Sequence, residues 1–280
     1  MEHLLTMQQI SEYQRYLLLA ERSLGTIQKY MRDIRCFFAF LPEGKELSKE
    51  TVIAYKEHLA AQYAISTANS MLAAVNSLMS FAGWYDCRVK PFKQQRHIFR
   101  DKSRELSKAE YWRLLEAARA NGNSRLFFIM QTLCATGIRI SELQYITVEA
   151  LSSGQASVNC KGKARVILLP KKLRRALGGY CKANHICSGP VFVTKSGRPV
   201  NRSNIWAAMK QLCQSARVDA GKVFPHNFRH LFAVTFYHLE KDIAKLADLL
   251  GHASIETTRI YIMESSAEHI RQVERLGLVL

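Results

Sequence analysis

Hydrophobic residues in the first 85 or so positions recur at helical spacing. Between residues 26 and 41, Ile27, Tyr30, Ile34, Phe37, Phe38 and Leu41 fall on one face, and Pro42 with Gly44 ends the run. Ser48 opens a second segment carrying Val52, Tyr55 and Leu59. Ser66 reads as the cap of a third, whose Met71, Leu72, Val75, Leu78 and Met79 form one stripe before Gly83. With residues 6–22 these segments predict a four-helix unit, its aromatics forming a core rather than base-stacking platforms.

The pattern breaks at residues 88–104, where Arg88, Lys90, Lys93, Arg96, Arg100, Lys102 and Arg104 are interleaved with Pro91, two glutamines and a single acid, Asp101. This is a basic linker, and a linker lying along a DNA backbone gains affinity from such charges by counterion release. A second domain begins at Leu106-Ser107, with Ser107 capping a helix through Ala118. An apolar helix near residues 124–135 follows. Residues 155–169 alternate on either side of Lys161-Gly162-Lys163, which predicts a β-hairpin with lysines at its tip. Val191-Phe192-Val193 reads as a short strand and Ser196-Gly197-Arg198-Pro199 as a turn. Helices are then expected over roughly 201–216, 226–239, 242–250 and 254–263, with a tail from about 266. The expected fold class is mainly α, with a small antiparallel β-hairpin in an α+β second domain and an all-α N-terminal domain. The boundaries read as 1–87, a linker at 88–105, and 106–280.

Composition sharpens this. A chain of 280 residues that is 48% apolar can build two real cores. A net charge of +17 calls for a polyanionic partner, nucleic acid ahead of membrane, and most of the surplus falls after residue 103, alongside the candidate chemistry. The seven cysteines are odd in number and scattered without a C-x-x-C pair, as expected of reduced thiols. His185 between Cys181 and Cys187 lacks paired ligand spacing, so no metal site is expected. Neither a signal peptide nor an apolar run of the ~20 residues needed to span a bilayer is seen, and a cytoplasmic protein is expected.

The chemistry concentrates near the C-terminus, in His226-Asn227-Phe228-Arg229-His230, Leu250-Gly251-His252 and Thr257-Thr258-Arg259-Ile260-Tyr261. A phosphodiester under attack gathers negative charge on its non-bridging oxygens, and guanidiniums hold those oxygens with forked, charge-assisted hydrogen bonds. Arg139 and Arg229 are the candidates. His226 and Arg229, three apart, project from one helix face, and Pro225 suits the start of that helix. Tyr261 is a candidate nucleophile, which an ordinary pKa near ~10 leaves in need of a base, and His226 can take its proton. Read locally, Tyr261 between two isoleucines reads as a core aromatic before it reads as a nucleophile. His252, just after the helix-ending Gly251, could bond a phosphate oxygen. A leaving 5′-oxygen needs a proton, and Lys161 or Lys163 could deliver it from the hairpin tip.

Taken together, Thr136-Gly137-Ile138-Arg139-Ile140-Ser141-Glu142-Leu143, the Lys161 hairpin, His226-x-x-Arg229-His230, Leu250-Gly251-His252 and Thr257-Thr258-x-x-Tyr261 resemble the tyrosine recombinase (phage integrase) family in order and spacing. Ser23-x-x-Thr26-x-x-x-Tyr30-x-x-Asp33 is similar to the helical core-binding domain of its two-domain, Xer-like members. The resemblance implies a site-specific recombinase with Arg139, Lys161, His226, Arg229 and His252 as catalytic pocket. Tyr261 becomes linked to the DNA 3′-phosphate. It places Glu142 and His230 in support and prefers Lys161 over Lys163 because it precedes the hairpin glycine; by charge and position, Lys163, Arg96 and Arg100 are expected against DNA. It further implies double-stranded DNA at specific sites as substrate, no cofactor or metal, and four protomers in the synapse, a paralogous recombinase among the possible partners. The residues Ile270, Val273, Leu276, Leu278 and Val279 of the tail are available to pack on a neighbour or on their own domain. Competing expectations are a non-catalytic DNA-binding regulator on the same fold, or a type IB topoisomerase-like relaxing activity.

Overall fold

The computed structural model describes residues 3–93, 102–160, 163–194, 196–262 and 274–276. The chain divides into two compact units, Met1–Arg96 and His97–Leu280.

Four helices build the first unit: α1 (Met7–Leu19), α2 (Leu24–Phe40), α3 (Lys49–Gln62) and α4 (Ile65–Ala82). Each of the first three starts where a short polar side chain can take an otherwise unsatisfied backbone N–H. Thr6 caps α1 by accepting from the Gln9 amide, Ser23 caps α2 through Thr26, and Ser48 caps α3 through Thr51. The fourth departs from expectation. Tyr63 already ends α3, so the chain turns within two residues and α4 starts at Ile65 behind Ala64, with no side-chain cap, leaving Ser66 in the first turn. Gly83 ends α4 at φ +77°, a backbone region that favours glycine. The predicted apolar stripes meet in a core around Tyr13, Ile34, Phe37, Tyr55, Leu72 and Val75.

Two features of this unit have no clear signature in the periodicity. His3–Leu4 (β1) pairs antiparallel with Glu46–Leu47 (β2), a ladder too short to register as alternation. Residues expected to open the linker are instead strapped along α4: Asn76 bonds the backbone of Val89 in both directions, and Asn69 does the same for Phe92.

The second unit is helical around one hairpin. Helices α5 (Lys108–Ala120), with a capping box between Ser107 and Glu110, and α6 (Ser124–Thr136) lead to a 3-10 turn at Ile140–Tyr145 and the short α7 (Val148–Ser153). β3 (Gln155–Cys160) and β4 (Lys163–Leu168) pair antiparallel from Gln155 opposite Leu168 to Cys160 opposite Lys163. Next come α8 (Lys171–Ala183), α9 (Arg202–Ala216), α10 (Pro225–Glu240), α11 (Ile243–Leu250) and α12 (Ile255–Ile262). Helix α8 went unpredicted because its glycine pair, Gly178-Gly179, masks a stripe made by Leu173, Leu177, Tyr180 and Cys181. The expected strand at 191–193 is not one. Val191 and Phe192 are buried, but the backbone makes only isolated bridges, Thr147 with Pro190 and Val193 with Pro199. The flanking Pro190 and Pro199 lack the N–H that a ladder needs. Of the tail, only residues 274–276 are described, and Leu276 is exposed.

Candidate active site

The site forms where four chain segments converge on one arginine. Arg229 lies in the second turn of α10, which Pro225 starts as its first residue. Although a charged group, Arg229 is only 2% exposed. Burying a guanidinium is unfavourable unless its donors are met, and here two helix C-termini meet them. Nη1 donates to the Gly137 carbonyl, just past α6, at 2.7 Å, and Nη2 donates to the Leu250 carbonyl at the end of α11 at 2.8 Å. Those carbonyls are the ones a helix leaves unpaired, and they sit at the negative end of its dipole. The turns that present them need glycine: Gly137 has φ +63° and Gly251 φ +62°. A Cβ on Gly137 would lie 2.3 Å from the Phe232 ring, and one on Gly251 would lie 2.4 Å from the Arg165 side chain.

Arg139 follows directly from that first turn. Its side chain is 46% exposed, and Glu142, one 3-10 turn later, holds it from both ends, accepting from the Arg139 amide at 2.7 Å and from Nη1 at 3.1 Å. Glu142 is itself buried and takes a third bond, at 2.5 Å, from Arg165 on β4. Arg165 also donates to the Leu249 carbonyl at 3.1 Å, so α11 ends by solvating two guanidiniums through consecutive carbonyls. Arg165 was missed in the sequence because a lone arginine in a strand carries no motif, even on the face it shares with the buried Ile167. Its nearness to Gly251 shows only in three dimensions.

His252 completes the cluster. Its Nε2 lies 2.7 Å from Arg229 Nη2 and its Nδ1 lies 2.8 Å from the Thr258 hydroxyl. Its pKa is pushed down to about 4, first by loss of solvent and then by Arg229, Arg139, Arg165 and His226, so the ring is neutral near pH 7. Burial likewise lowers Arg229, with Arg139 pushing the same way, while Tyr261 opposes the shift by hydrogen bonding to it.

Tyr261, on α12, is 4% exposed and packs with Ala233, Leu246 and Leu250. Three imidazoles surround its ring, with centroids at 5.7 Å for His226, 5.4 Å for His230 and 5.8 Å for His252, the last nearly parallel at 8°. It is thus a core aromatic in its packing and a polar site residue through its hydroxyl. His226 is exposed beside it and His230 buried beneath.

Seven of the residues singled out from the sequence, Arg139, Glu142, His226, Arg229, His230, His252 and Tyr261, therefore come together in the second unit. Lys161, Arg96 and Arg100 lie outside the described residues. Lys163 is the first residue of β4, opposite Cys160. Three guanidiniums face the cluster, and among the described residues one carboxylate, Glu142, is hydrogen-bonded to two of them, so it carries a positive surplus suited to an anion. A separate trio, His3, Asp86 and Cys87, brings three ligand-type atoms within 4.8 Å of one another in the first unit, but His3 there already bonds Asp86 and stacks on Trp84.

Comparison with known proteins agrees with this geometry. The profile of the Phage integrase family matches residues 104–268, and that of the phage integrase N-terminal SAM-like domain matches residues 10–85. The tyrosine recombinase XerD of Halalkalibacterium halodurans is 29% identical over 269 residues, covering 86% of this chain and 88% of that protein. The tyrosine recombinase XerA of Thermococcus kodakarensis is 28% identical over 275 residues, covering 95% and 93%. Among solved structures, XerA recombinase is 25% identical, with a TM-score of 0.52 over 98% of both chains. A lambda integrase dimer bound to a core site shares the fold with a TM-score of 0.74 at 14% identity, over 91% of this chain and 94% of that one. The chain belongs to the phage integrase family.

Proposed function

We propose that this protein cuts and rejoins double-stranded DNA at specific sites through a covalent bond between Tyr261 and the DNA 3′-phosphate. Family membership makes it a tyrosine-type site-specific recombinase. The single observation that carries the residue assignment is the enclosure of Tyr261 by three histidines, one of which, His252, bonds the buried Arg229.

In this reading the scissile phosphate takes the seat between Arg139 and Arg229. The Tyr261 oxygen attacks phosphorus, its proton passes to a neighbouring base, for which His226 is placed, and the 5′-oxygen leaves with a proton that Lys161 supplies. A 5′-hydroxyl from a partner duplex then attacks the phosphotyrosyl bond and releases Tyr261. The bond energy is conserved through the intermediate, so no nucleotide is consumed. Arg229 is rigid before substrate arrives, because two helix ends and His252 hold it. Donors fixed in advance stabilise developing charge without reorganising during the reaction.

Residues 1–87 serve as the core-binding domain and 106–280 as the catalytic domain, with Arg96, Arg100 and Lys163 against DNA phosphates. Four protomers assemble on two sites; structures of lambda integrase include a tetramer bound to a Holliday junction. No helix among the described residues is long and apolar enough to cross a membrane, and we place the protein in the cytoplasm with its DNA.

The test is covalent capture. DNA crosslinked to the protein is sequenced to find its site, and a nicked suicide duplex carrying that site is incubated with the wild-type chain and with Tyr261→Phe. Wild type should give an adduct and the variant none; an adduct surviving in the variant refutes the assignment.

A further inference from the structure

His252 touches two partners, and their chemistry fixes where its proton resides. A guanidinium has only donors, so at 2.7 Å from Arg229 Nη2 the His252 Nε2 must offer its lone pair. A neutral imidazole with its lone pair on Nε2 carries its hydrogen on Nδ1, and that hydrogen points to the Thr258 hydroxyl oxygen at 2.8 Å. Depression of the His252 pKa agrees with a ring that holds one proton. Thr258 is fully buried, so its hydroxyl has no water to turn to and the contact is held by packing.

We propose that Thr258 is a positioning residue for His252: its hydroxyl accepts the Nδ1–H and fixes the ring plane, which keeps the Nε2 lone pair that Arg229 demands seated on that guanidinium. This rests on the assignment of His252 to the catalytic pocket, and it adds a residue that the pocket needs but that need not touch DNA. Thr258 and Tyr261 stand three apart on α12 and so share a face. The helix that carries the nucleophile thereby carries the group that orients His252. Seating α12 sets both at once, so the pocket is complete only when Tyr261 is home. A buried partner on the other nitrogen of a functional imidazole is a general device for holding the ring in one orientation.

Three full-length chains test this: wild type, Thr258→Val, which keeps the shape and loses the hydroxyl, and Thr258→Ser, which restores an acceptor. Nitrogen-15 spectra of imidazole-labelled protein without DNA should show wild-type His252 as the Nδ1–H tautomer. Thr258→Val should keep that tautomer, because Arg229 still donates to Nε2, but with its Nδ1–H resonance displaced by loss of the acceptor. Cleavage of the suicide duplex in a single turnover should fall about tenfold or more in Thr258→Val, with duplex affinity within about twofold of wild type by the same reasoning, and should recover in Thr258→Ser. A wild-type spectrum showing Nε2–H overturns the proposal, even if Tyr261 proves to be the nucleophile. So does a folded Thr258→Val with an undisplaced Nδ1–H resonance and wild-type cleavage, or a folded Thr258→Ser as slow as Thr258→Val. If Thr258→Val does not fold, the wild-type spectrum and the serine variant still decide. Failure of the functional assignment reads out separately, as an adduct on Tyr261→Phe.

Discussion

Arg165 Nη2 donates to Glu142 Oε2 at 2.5 Å, and the Glu142 carboxylate in turn holds Arg139 through its backbone and its guanidinium. The pair is largely buried, with side-chain exposures of 13% for Arg165 and 4% for Glu142. Removing one member of a buried pair leaves the other charge poorly compensated, at a cost of about 3 kcal/mol. Arg165→Met, which keeps the apolar stem, should therefore lower unfolding free energy by that order in urea titrations and should also slow cleavage by letting Arg139 swing. A loss below about 1 kcal/mol would show that Arg139 and solvent suffice to hold Glu142.

Arg229 separates catalysis from binding. It is too buried to steer DNA from a distance, and under the proposed function it acts on the charge that develops as the phosphate is attacked. Arg229→Lys keeps the charge while losing the fork that spans Gly137, Leu250 and His252. Cleavage should drop on the order of a hundred- to a thousandfold, with a much smaller change in gel-shift affinity. Equal losses in the two assays would count against a transition-state role. By contrast, replacing Arg96 and Arg100 together should weaken binding and flatten its dependence on salt, whereas an unchanged slope would take those residues off the phosphates.

The helices of the first unit were legible because each buries one stripe and most start at a cap. The hairpin was legible because its strands alternate around a glycine tip. The pocket was legible as a set of residues through its motifs, yet its construction was not. That Glu142 bonds Arg139 follows from a three-residue spacing, whereas Arg165 reaches Glu142 from a strand 23 positions away. Nothing in the local pattern around Arg165 marks it. Tyr261 illustrates the same limit: flanked by Ile260 and Ile262 it reads as core, and it is core, so only the three surrounding histidines separate the two roles.

Gly137 should be intolerant even of alanine. Its φ of +63° strains any L residue, and an added Cβ would press on the Phe232 ring beside the carbonyl that holds Arg229. Gly137→Ala should destabilise the chain by on the order of 2 kcal/mol, combining left-handed strain with overpacking, and should depress cleavage by tilting the Gly137 carbonyl. Thermal melts paired with adduct formation check this. Gly83→Ala is the control, since its φ is equally positive but nothing lies within 4 Å of the added Cβ. It should show the strain without the clash and leave cleavage intact.

The depressed pKa of His252 links the pocket to acid stability. Unfolded, the imidazole titrates near its usual 6.5; folded, it titrates at about 4. Between those values the unfolded chain binds a proton that the folded chain refuses. The stabilising contribution is therefore complete above about 6.5 and drains away as pH falls toward about 4. Because the ring is only partly buried, solvent screening reduces the effect to about 1 kcal/mol. His252→Gln cannot titrate, so its unfolding free energy should decline less steeply than wild type between pH 6.5 and 4, and the gap between the two should narrow across that window. Urea titrations at closely spaced pH values measure the difference directly. Parallel curves for the two proteins would mean that His252 keeps an ordinary affinity for its proton despite the three guanidiniums around it.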